Sequence, residues 1–320
     1  MCNFIVLDLE WNQSSERKQK VNSVLPFEIV EIGAVKLDKN KNIIDKYGQL
    51  IKPQVYHQMH YMTQKIVHLD MDELEGGRLF TSVIKEFMDW CGDDYIFCTW
   101  GSLDLMELQR NMKYYDIAPL SNGPLKYLDI QKLFSIAYED GKTRRTLEYA
   151  VDYFNICKEK EFHRALSDAY YTALIFGKIN NPDVESHVSF DVFHVPENKK
   201  DEILVVFDNY SKYISREFED KNVAIADKEV ASSRCYICGK NAKKKVRWFS
   251  ANTRHYYCLA QCNEHGFIKG KIRMKHTDSG NIYVIKTLKL ISEEEHQKLI
   301  DKKEHLKIQR RTRRREKRHI

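Results

Sequence analysis

The chain opens on an apolar run, Phe4-Ile5-Val6-Leu7, that ends in Asp8-Leu9-Glu10 and reads as a buried strand closing on two acids. A second strand is predicted from Glu28 to Leu37 with Gly33 inside it, and a third from Asn42 to Ile51, stopped by Pro53. Apolar residues then recur at helical spacing over Leu79–Trp90, Leu105–Met112, Ile130–Ala137, Leu147–Phe154 and His163–Phe176. One more buried strand, Tyr95–Trp100, lies among those helices. Strands first, then strand and helices in alternation, predict an α/β fold with helices on a mixed β-sheet. Past Asn180 the pattern loosens. Residues 1–180 therefore read as one domain and 181–232 as a connector with short apolar runs such as Ile203–Phe207. A small β module follows over 233–290, then a basic helical tail over 291–320. Ser292 and Glu295 have capping-box spacing, with acids in the tail's first turn and bases in its last.

The composition, 42% hydrophobic and 31% charged over 320 residues, is that of a globular chain and excludes a disordered or collagen-like one. No apolar stretch approaches the ~18 residues of a membrane span. The opening run is too short, and too soon interrupted by acids, for a signal peptide. Of the eight cysteines, Cys2, Cys91, Cys98 and Cys157 are scattered, while Cys235, Cys238, Cys258 and Cys262 crowd together. This pattern fits a reducing, cytoplasmic setting with one metal site rather than a disulfide framework. The net charge of +6 hides a division: residues 1–200 carry −6 and residues 201–320 carry +12. Such a basic rear half suits a polyanionic partner, although a solvated charged face gives the same count.

Three short segments carry candidate chemistry. Asp8 and Glu10, two apart on a strand, project from one face, where charge is costly unless it meets solvent or a cation. Asp104 follows the strand ending at Thr99-Trp100-Gly101 and starts the next helix. Asp168 lies on a helix with His163 five residues before it, on a neighbouring part of the helical surface. Taken singly, each has a plain reading: a solvated strand end, a dipole-favoured helix acid, a surface histidine.

Together and in this order, Phe4-Ile-Val-Leu-Asp8-Leu-Glu10, Trp100-Gly-Ser-Leu-Asp104 and His163-Arg-Ala-Leu-Ser-Asp168-Ala resemble the three motifs of the DEDDh family of 3′→5′ exonucleases. Glu28-Ile-Val-Glu-Ile-Gly-Ala-Val is similar to that family's second strand, and Tyr61-Met62-Thr63 to its substrate-facing loop, with Gln64-Lys65 in place of the usual Gly-Ile. The resemblance covers residues 1–178 and implies a ribonuclease H-like fold with metal-dependent 3′→5′ hydrolysis of single-stranded nucleic acid. Trp100-Gly101 looks most like the histone-mRNA and sporulation-inhibitor types, which favours RNA over DNA. DNA cleavage and a catalytically silent scaffold stay open as alternatives.

The resemblance also assigns roles. Two Mg²⁺ or Mn²⁺ ions are implied, with Asp8 bridging both, Glu10 and Asp168 completing the first, and Asp104 supporting the second. Two cations ~3.5–4 Å apart stabilise both the attacking and the leaving oxygen of a phosphodiester, and four converging acids need such cations to stay ionised. His163 is implied to take the proton of the attacking water, work that suits an imidazole with its ordinary pKa of ~6.5. Glu10 is expected to touch the terminal 3′ hydroxyl, and Leu9 and Trp11 to pack beside the last base.

In the rear half, Cys235-Tyr-Ile-Cys238-Gly and Cys262-Asn-Glu-His265-Gly form two knuckles separated by 23 residues. Sulfur and nitrogen donors at this spacing predict a structural Zn²⁺ held by Cys235, Cys238, Cys262 and His265, with Cys258 as the alternative fourth ligand. The module resembles a zinc ribbon. Beyond it Lys269, Lys271, Arg273 and Lys275 alternate with Gly270, Ile272 and Met274, so strand period sets four cations on one face as candidate nucleic-acid contacts. A turn at 278–281 completes a hairpin into Ile282–Ile285. The run 310–318 is a block of cations for which nucleic-acid affinity, solubility and a nuclear address all fit.

Overall fold

Isoleucine, valine and leucine fill both faces of the first two predicted strands, which places them at the centre of a sheet. The computed structural model describes residues 2–14, 22, 24–67, 69–277 and 279–316. The chain divides into two units, Met1–His194 and Val195–Ile320. In the first, β1 (Asn3–Asn12) pairs antiparallel with β2 (Glu28–Leu37), which pairs antiparallel with β3 (Ile43–Leu50). On the other side of β1, β4 (Tyr95–Thr99) and β5 (Leu125–Asp129) run parallel to it, and β6 (Ser189–Asp191) closes the edge antiparallel. The order is β3-β2-β1-β4-β5-β6.

The helices of this unit are α1 (Tyr61–Val67), α2 (Met71–Glu75), α3 (Phe80–Cys91), α4 (Asp104–Tyr114), α5 (Ile130–Tyr138), α6 (Leu147–Tyr153), α7 (Ala165–Lys178) and α8 (Pro182–Glu185). Strand alternation sorts the core. Ile5, Leu7 and Leu9 face α3 and α4 with Phe87 and Leu108, whereas Val6 and Val35 face α5, α6 and α7 with Phe134 and Ala169. Each large apolar side chain so buried stabilises the fold by ~1.5–3 kcal/mol. The expected α/β class holds.

The second unit is a six-stranded antiparallel sheet in the order β7-β8-β12-β11-β10-β9. Its elements are β7 (Ile203–Val206), β8 (Tyr210–Ile214), α9 (Lys221–Ala226), α10 (Lys228–Ala231), β9 (Lys243–Ser250), β10 (His255–Cys262), β11 (Gly266–His276), β12 (Ile282–Leu290) and α11 (Glu293–Glu316). Ala224 and Val230 of α9 and α10 pack with Ile272 and Met274 on one face, and Leu299 of α11 packs with Val246 and Leu259 on the other. The Ser292 hydroxyl accepts from the Glu295 N–H at 3.2 Å, as the capping pattern predicts.

The stretch 181–232, expected as a connector, is instead divided between the units. It supplies α8 and β6 to the first and β7, β8, α9 and α10 to the second. Its strands hold only three to five residues each; β7 forms a local hairpin with β8, whereas β6 and β8 gain partners over long distances in sequence, as in Ile214 opposite Ile285. The hairpin between β11 and β12 forms as predicted from His276 opposite Ile282, although Asp278 of its turn lies outside the described residues, as do 317–318 of the basic tail. Among the described residues no helix is long and apolar enough to cross a membrane.

Candidate active site and Cys/His cluster

The end of β1 gathers the acids. Asp8 lies opposite Gly33 of β2, and Glu10 opposite Glu31, so all four positions share one face of the sheet. A Cβ on Gly33 would stand 2.0 Å from the Ala165 carbonyl carbon and 2.1 Å from the Leu166 nitrogen. Glycine there lets the first turn of α7 lie directly on β2, and this close approach carries Asp168 to the acids of β1. On the other side, β4 ends at Thr99, and Gly101 turns the chain at φ +111° into α4. That turn delivers Asp104 at the head of α4, where its carboxylate accepts the backbone N–H of Leu9.

His163 departs from expectation. Helix α7 begins at Ala165, and His163 precedes it with φ +63°, in the left-handed region that is uncommon for residues other than glycine. Glu31 is the physical reason. Its buried carboxylate accepts the Ala165 N–H at 3.2 Å and the Arg164 guanidinium, Nε and Nη2, each at 3.1 Å, so the turn is fastened to β2. The His163 N–H donates to Asp168 Oδ2 at 3.2 Å. The exposed ring of His163 comes close to the site: ligand atoms of Glu10, His163 and Asp168 all lie within 4.8 Å of one another.

The electrostatics are those of acids awaiting cations. Burial, then repulsion from Asp104, Glu10, Asp168 and Glu31, holds Asp8 well above the usual carboxylate range. Glu10 is pushed to about 8 by burial and by Asp168, Glu31 and Asp104. Asp104 rises to about 7 and Asp168 to about 6, burial leading in each case. Asp168 Oδ1 is buried with no hydrogen-bond partner. An orphaned carboxylate oxygen beside three further acids is a fit for a hard divalent ion such as Mg²⁺ or Mn²⁺, which takes oxygen ligands.

Leu9 requires correction. Alternation turns it to the face opposite Asp8 and Glu10, where it is 4% exposed and packs in the core under α3 and α4, so it offers a base no surface. Trp11 is half-buried, its ring 5.8 Å from Phe27. The segment expected as a substrate-facing loop starts α1: Tyr61 and Met62 are exposed, while Thr63 is buried with its hydroxyl on the Trp11 carbonyl at 3.4 Å. Sequence reading missed Glu31 and Arg164, whose pairing spans 133 residues. It also missed Asp129, a buried acid at the end of β5 that caps α5 and lies close enough to raise Asp104.

In the second unit the Sγ atoms of Cys235, Cys238 and Cys262 and a ring nitrogen of His265 form one cluster. Cys235 to His265, Cys262 to His265 and Cys238 to Cys262 are each 3.7 Å apart. A tetrahedral zinc with ~2.3 Å bonds to sulfur sets its ligand atoms ~3.8 Å apart, so the cluster fits that ion. Gly239 and Gly266 follow the knuckles with φ +71° and +87°, as a left-handed turn needs. Backbone N–H groups of Glu264 and His265 and the His265 ring lower the Cys262 thiol to about 6, which favours the ligating thiolate. Cys258 lies elsewhere: it is buried in β10 over Gly270, and burial pushes its thiol up to about 12.

Lys269, Lys271, Arg273 and Lys275 alternate along β11 with buried Ile268, Gly270, Ile272 and Met274, so they share one face. Helix α11 shares that face, and its Lys302 ammonium stands 4.1 Å from the Tyr257 ring centroid. Burial and then the charges of Lys271, Arg273, Lys302 and Arg254 lower the pKa of His255, a mark of how densely cations gather there.

The model of the exonuclease family, RNase_T, matches residues 5–176. DNA polymerase III PolC-type of Listeria innocua serovar 6a is 30% identical over 159 residues, which is 50% of this chain and 10% of that protein. Its counterpart in Bacillus subtilis is 25% identical over 162 residues, 51% of this chain and 11% of that protein. The match thus spans about a tenth of the length of these relatives. Among solved structures, the nuclease domain of 3′hExo, a DEDDh family member bound to rAMP, gives a TM-score of 0.48 at 19% identity over 58% of this chain and 96% of that one. Escherichia coli exonuclease I with a dT13 oligonucleotide gives 0.48 at 13% identity over 63% and 45%.

Proposed function

The chain belongs to the exonuclease family, and on that premise we propose that its first unit removes nucleotides from the 3′ end of single-stranded nucleic acid, RNA in preference to DNA. Asp8, Glu10, Asp104 and Asp168 would hold two Mg²⁺ or Mn²⁺ ions, and Cys235, Cys238, Cys262 and His265 a structural Zn²⁺ in the second unit. The observation that carries the reading is Asp168 Oδ1, buried and unpartnered among acids whose protons are already held too tightly. When bound, the divalent ions supply charge stabilisation for both oxygens of the scissile phosphodiester.

The chain's own groups do the rest. The His163 ring, held beside Glu10 and Asp168, takes the proton of the attacking water. Asp168 Oδ2 orients that residue through its backbone N–H, and Glu10 meets the terminal 3′ hydroxyl. The face of Lys269, Lys271, Arg273 and Lys275 grips phosphates of the strand without reading its bases. Eight cysteines with no disulfide among the described residues fit a cytoplasmic enzyme. DNA as substrate is the second reading, and the PolC-type relatives favour it, being DNA polymerases by name.

The test uses 5′-labelled RNA and DNA oligonucleotides of equal sequence, each with Mg²⁺, with Mn²⁺ and with chelator, beside Asp168→Ala. A ladder shortening from the 3′ end, lost with chelator and in the variant, is the expected outcome, with RNA the faster substrate. An intact band in every lane, with both oligonucleotides still bound, would leave only the scaffold.

A further inference from the structure

The second unit contains a cleft that the site above does not use. It lies between the end of α10, the first cysteine knuckle and the edge strand β9, encloses about 640 Å³, and is lined by Lys228, Arg234, Lys244, Arg247, Ser232 and Asn241 among others. Four cations meet one carboxylate there, Glu229. Among the described residues, none of the four cations is in an ion pair; the Arg234 guanidinium donates one 3.3 Å bond, from Nε to Asn241 Oδ1.

The backbone of the wall is turned to the same purpose. Carbonyl groups would normally offer acceptors to a cleft of this kind, yet here three are occupied from behind. Lys286, 6% exposed, donates its ammonium to the carbonyls of Glu229 and Ser232. Trp248 Nε1 donates to that of Ala231 at 3.0 Å. What remains toward solvent is a surface on which four cations outnumber the single Glu229 carboxylate, with a fifth cation buried behind the wall. No aromatic side chain is among the lining residues, so the cleft has nothing on which a base could stack. The Cys/His cluster also frames it, since Arg234 precedes Cys235, and Asn241 follows the knuckle closed by the Cys235 N–H on the Lys240 carbonyl at 2.9 Å.

We propose that this cleft binds the phosphodiester backbone of a single nucleic-acid strand, independently of sequence, as a second anionic track apart from the face of Lys269 to Lys275. Alternation puts the two on opposite faces of the sheet: Trp248, whose indole backs the cleft wall, packs with Ile272, whereas the β11 cations point away from Ile272. The inference rests on the nucleic-acid reading above and adds a surface to it. Phosphate contacts of this type release counterions, so affinity falls with salt by ~0.7 log units per log unit of salt for each single-strand contact.

The experiment uses the full chain carrying Asp168→Ala to prevent cleavage, with a 5′-fluorescein RNA of mixed sequence and an oligouridylate. Dissociation constants are measured from low to high salt, with and without Arg234→Gln, Lys244→Gln and Arg247→Gln together. Loss of two or three contacts should flatten the salt slope by ~1.4–2 for both oligonucleotides alike. Ser232→Glu, which leaves every cation in place but adds a carboxylate to the wall, should weaken binding about tenfold. Zinc content and circular dichroism confirm that each variant is folded. An unaltered slope in the folded triple variant would overturn the proposal, as would a slope altered for one base composition only. Binding to phosphatidylserine vesicles that the triple variant loses, with the RNA slope unchanged, would reassign the cleft to a membrane surface. Failure of the exonuclease reading is seen separately, as an intact full-length band when the unmutated chain is incubated with labelled oligonucleotide and Mg²⁺ or Mn²⁺.

Discussion

Glu31 touches no reacting atom in the proposed chemistry, yet it fastens the turn that carries His163, and Glu31→Gln tests that positioning role directly. The variant keeps the shape of the side chain but loses its charge and exchanges an acceptor for a donor. It thereby breaks part of the fork to Arg164 Nε and Nη2 and competes with the Ala165 N–H. Hydrogen bonds to charged groups contribute ~1.5–3 kcal/mol when buried. Arg164 keeps 35% of its side chain in solvent, so screening reduces the loss to about 1–2 kcal/mol. The left-handed backbone at His163 costs on the order of 1 kcal/mol or more, and without the clamp little opposes its relaxation.

At 1.4 kcal/mol per factor of ten, kcat should fall ~5–30-fold while KM stays within about twofold, because the acids proposed to hold metal keep their places and only lose one repelling neighbour. Steady-state cleavage of a short labelled oligonucleotide reads both constants. The decisive arm is the double variant with His163→Ala. A residue acting only through His163 should cost almost nothing once that ring is gone, whereas a general structural defect costs the same in either background. Additive losses in that cycle, or a folded Glu31→Gln enzyme with kcat within twofold of the parent, would refute the clamp.

Three further outcomes follow from the same geometry. Because Glu10, Asp104 and Asp168 titrate near about 8, 7 and 6 when folded, the metal-free native state retains protons that the unfolded chain has released by pH ~4. Their stabilising contribution is complete below that pH and is lost as pH rises toward 8; thermal melts should show a falling metal-free Tm across this window, recovery on adding Mg²⁺ at pH 8, and a flatter profile in Glu10→Gln. Gly33→Ala forces a methyl to within 2.0 Å of the α7 backbone, so Tm should drop by several degrees and kcat by ~10²-fold or more, and a normal kcat would mean that α7 does not need this contact. Stripping zinc with 1,10-phenanthroline should abolish cooperative melting of the second unit, and Cys258→Ala should leave zinc content unchanged while Cys238→Ala halves it or worse.

What the sequence discloses depends on how local the cause is. The β1 and β2 strands and the α3–α6 helices are written in runs and periods that need no partner to be read, and their ends fall within two residues of expectation. Strands β5, β6, β7 and β8 are three to five residues long; β5, β6 and β8 exist because strands distant in sequence share their hydrogen bonds, whereas β7, apolar throughout, is a four-residue run whose extended form comes from its hairpin with β8. The start of α7 was misjudged for a related reason: helical period runs through His163, and only a carboxylate 133 residues earlier in the chain halts it at Ala165. Leu9 is different, because period-two alternation already set it opposite Asp8 and Glu10 and predicts its burial without any structure. The knuckles are legible in full, glycines included, since a Cys/His cluster of this kind is encoded in spacing.

Two buried acids of the first unit, Glu28 and Asp168, differ in what surrounds their oxygens, and the difference bears on the proposed function. Glu28 is 2% exposed, and its oxygens accept the backbone N–H groups of Gln54, Val55 and Tyr56 and the Tyr115 hydroxyl. These bonds tie the 54–56 loop and the residue that caps the end of α4 to β2, and they occupy both oxygens of the carboxylate. Glu31 resembles Glu28, with the Arg164 guanidinium and the Ala165 amide on its two oxygens. Asp168 is also buried, yet one oxygen has no partner, and burial followed by the charge of neighbouring acids raises the pKa of Asp8 and of Glu10. A fold that supplies donors to Glu28 within the same sheet had the means to satisfy Asp168, and leaving it unsatisfied costs on the order of 1–3 kcal/mol of desolvation. A ligand that brings positive charge recovers that cost, which is why an unsatisfied acid within reach of Asp8, Glu10 and Asp104 suits the proposed divalent-ion site.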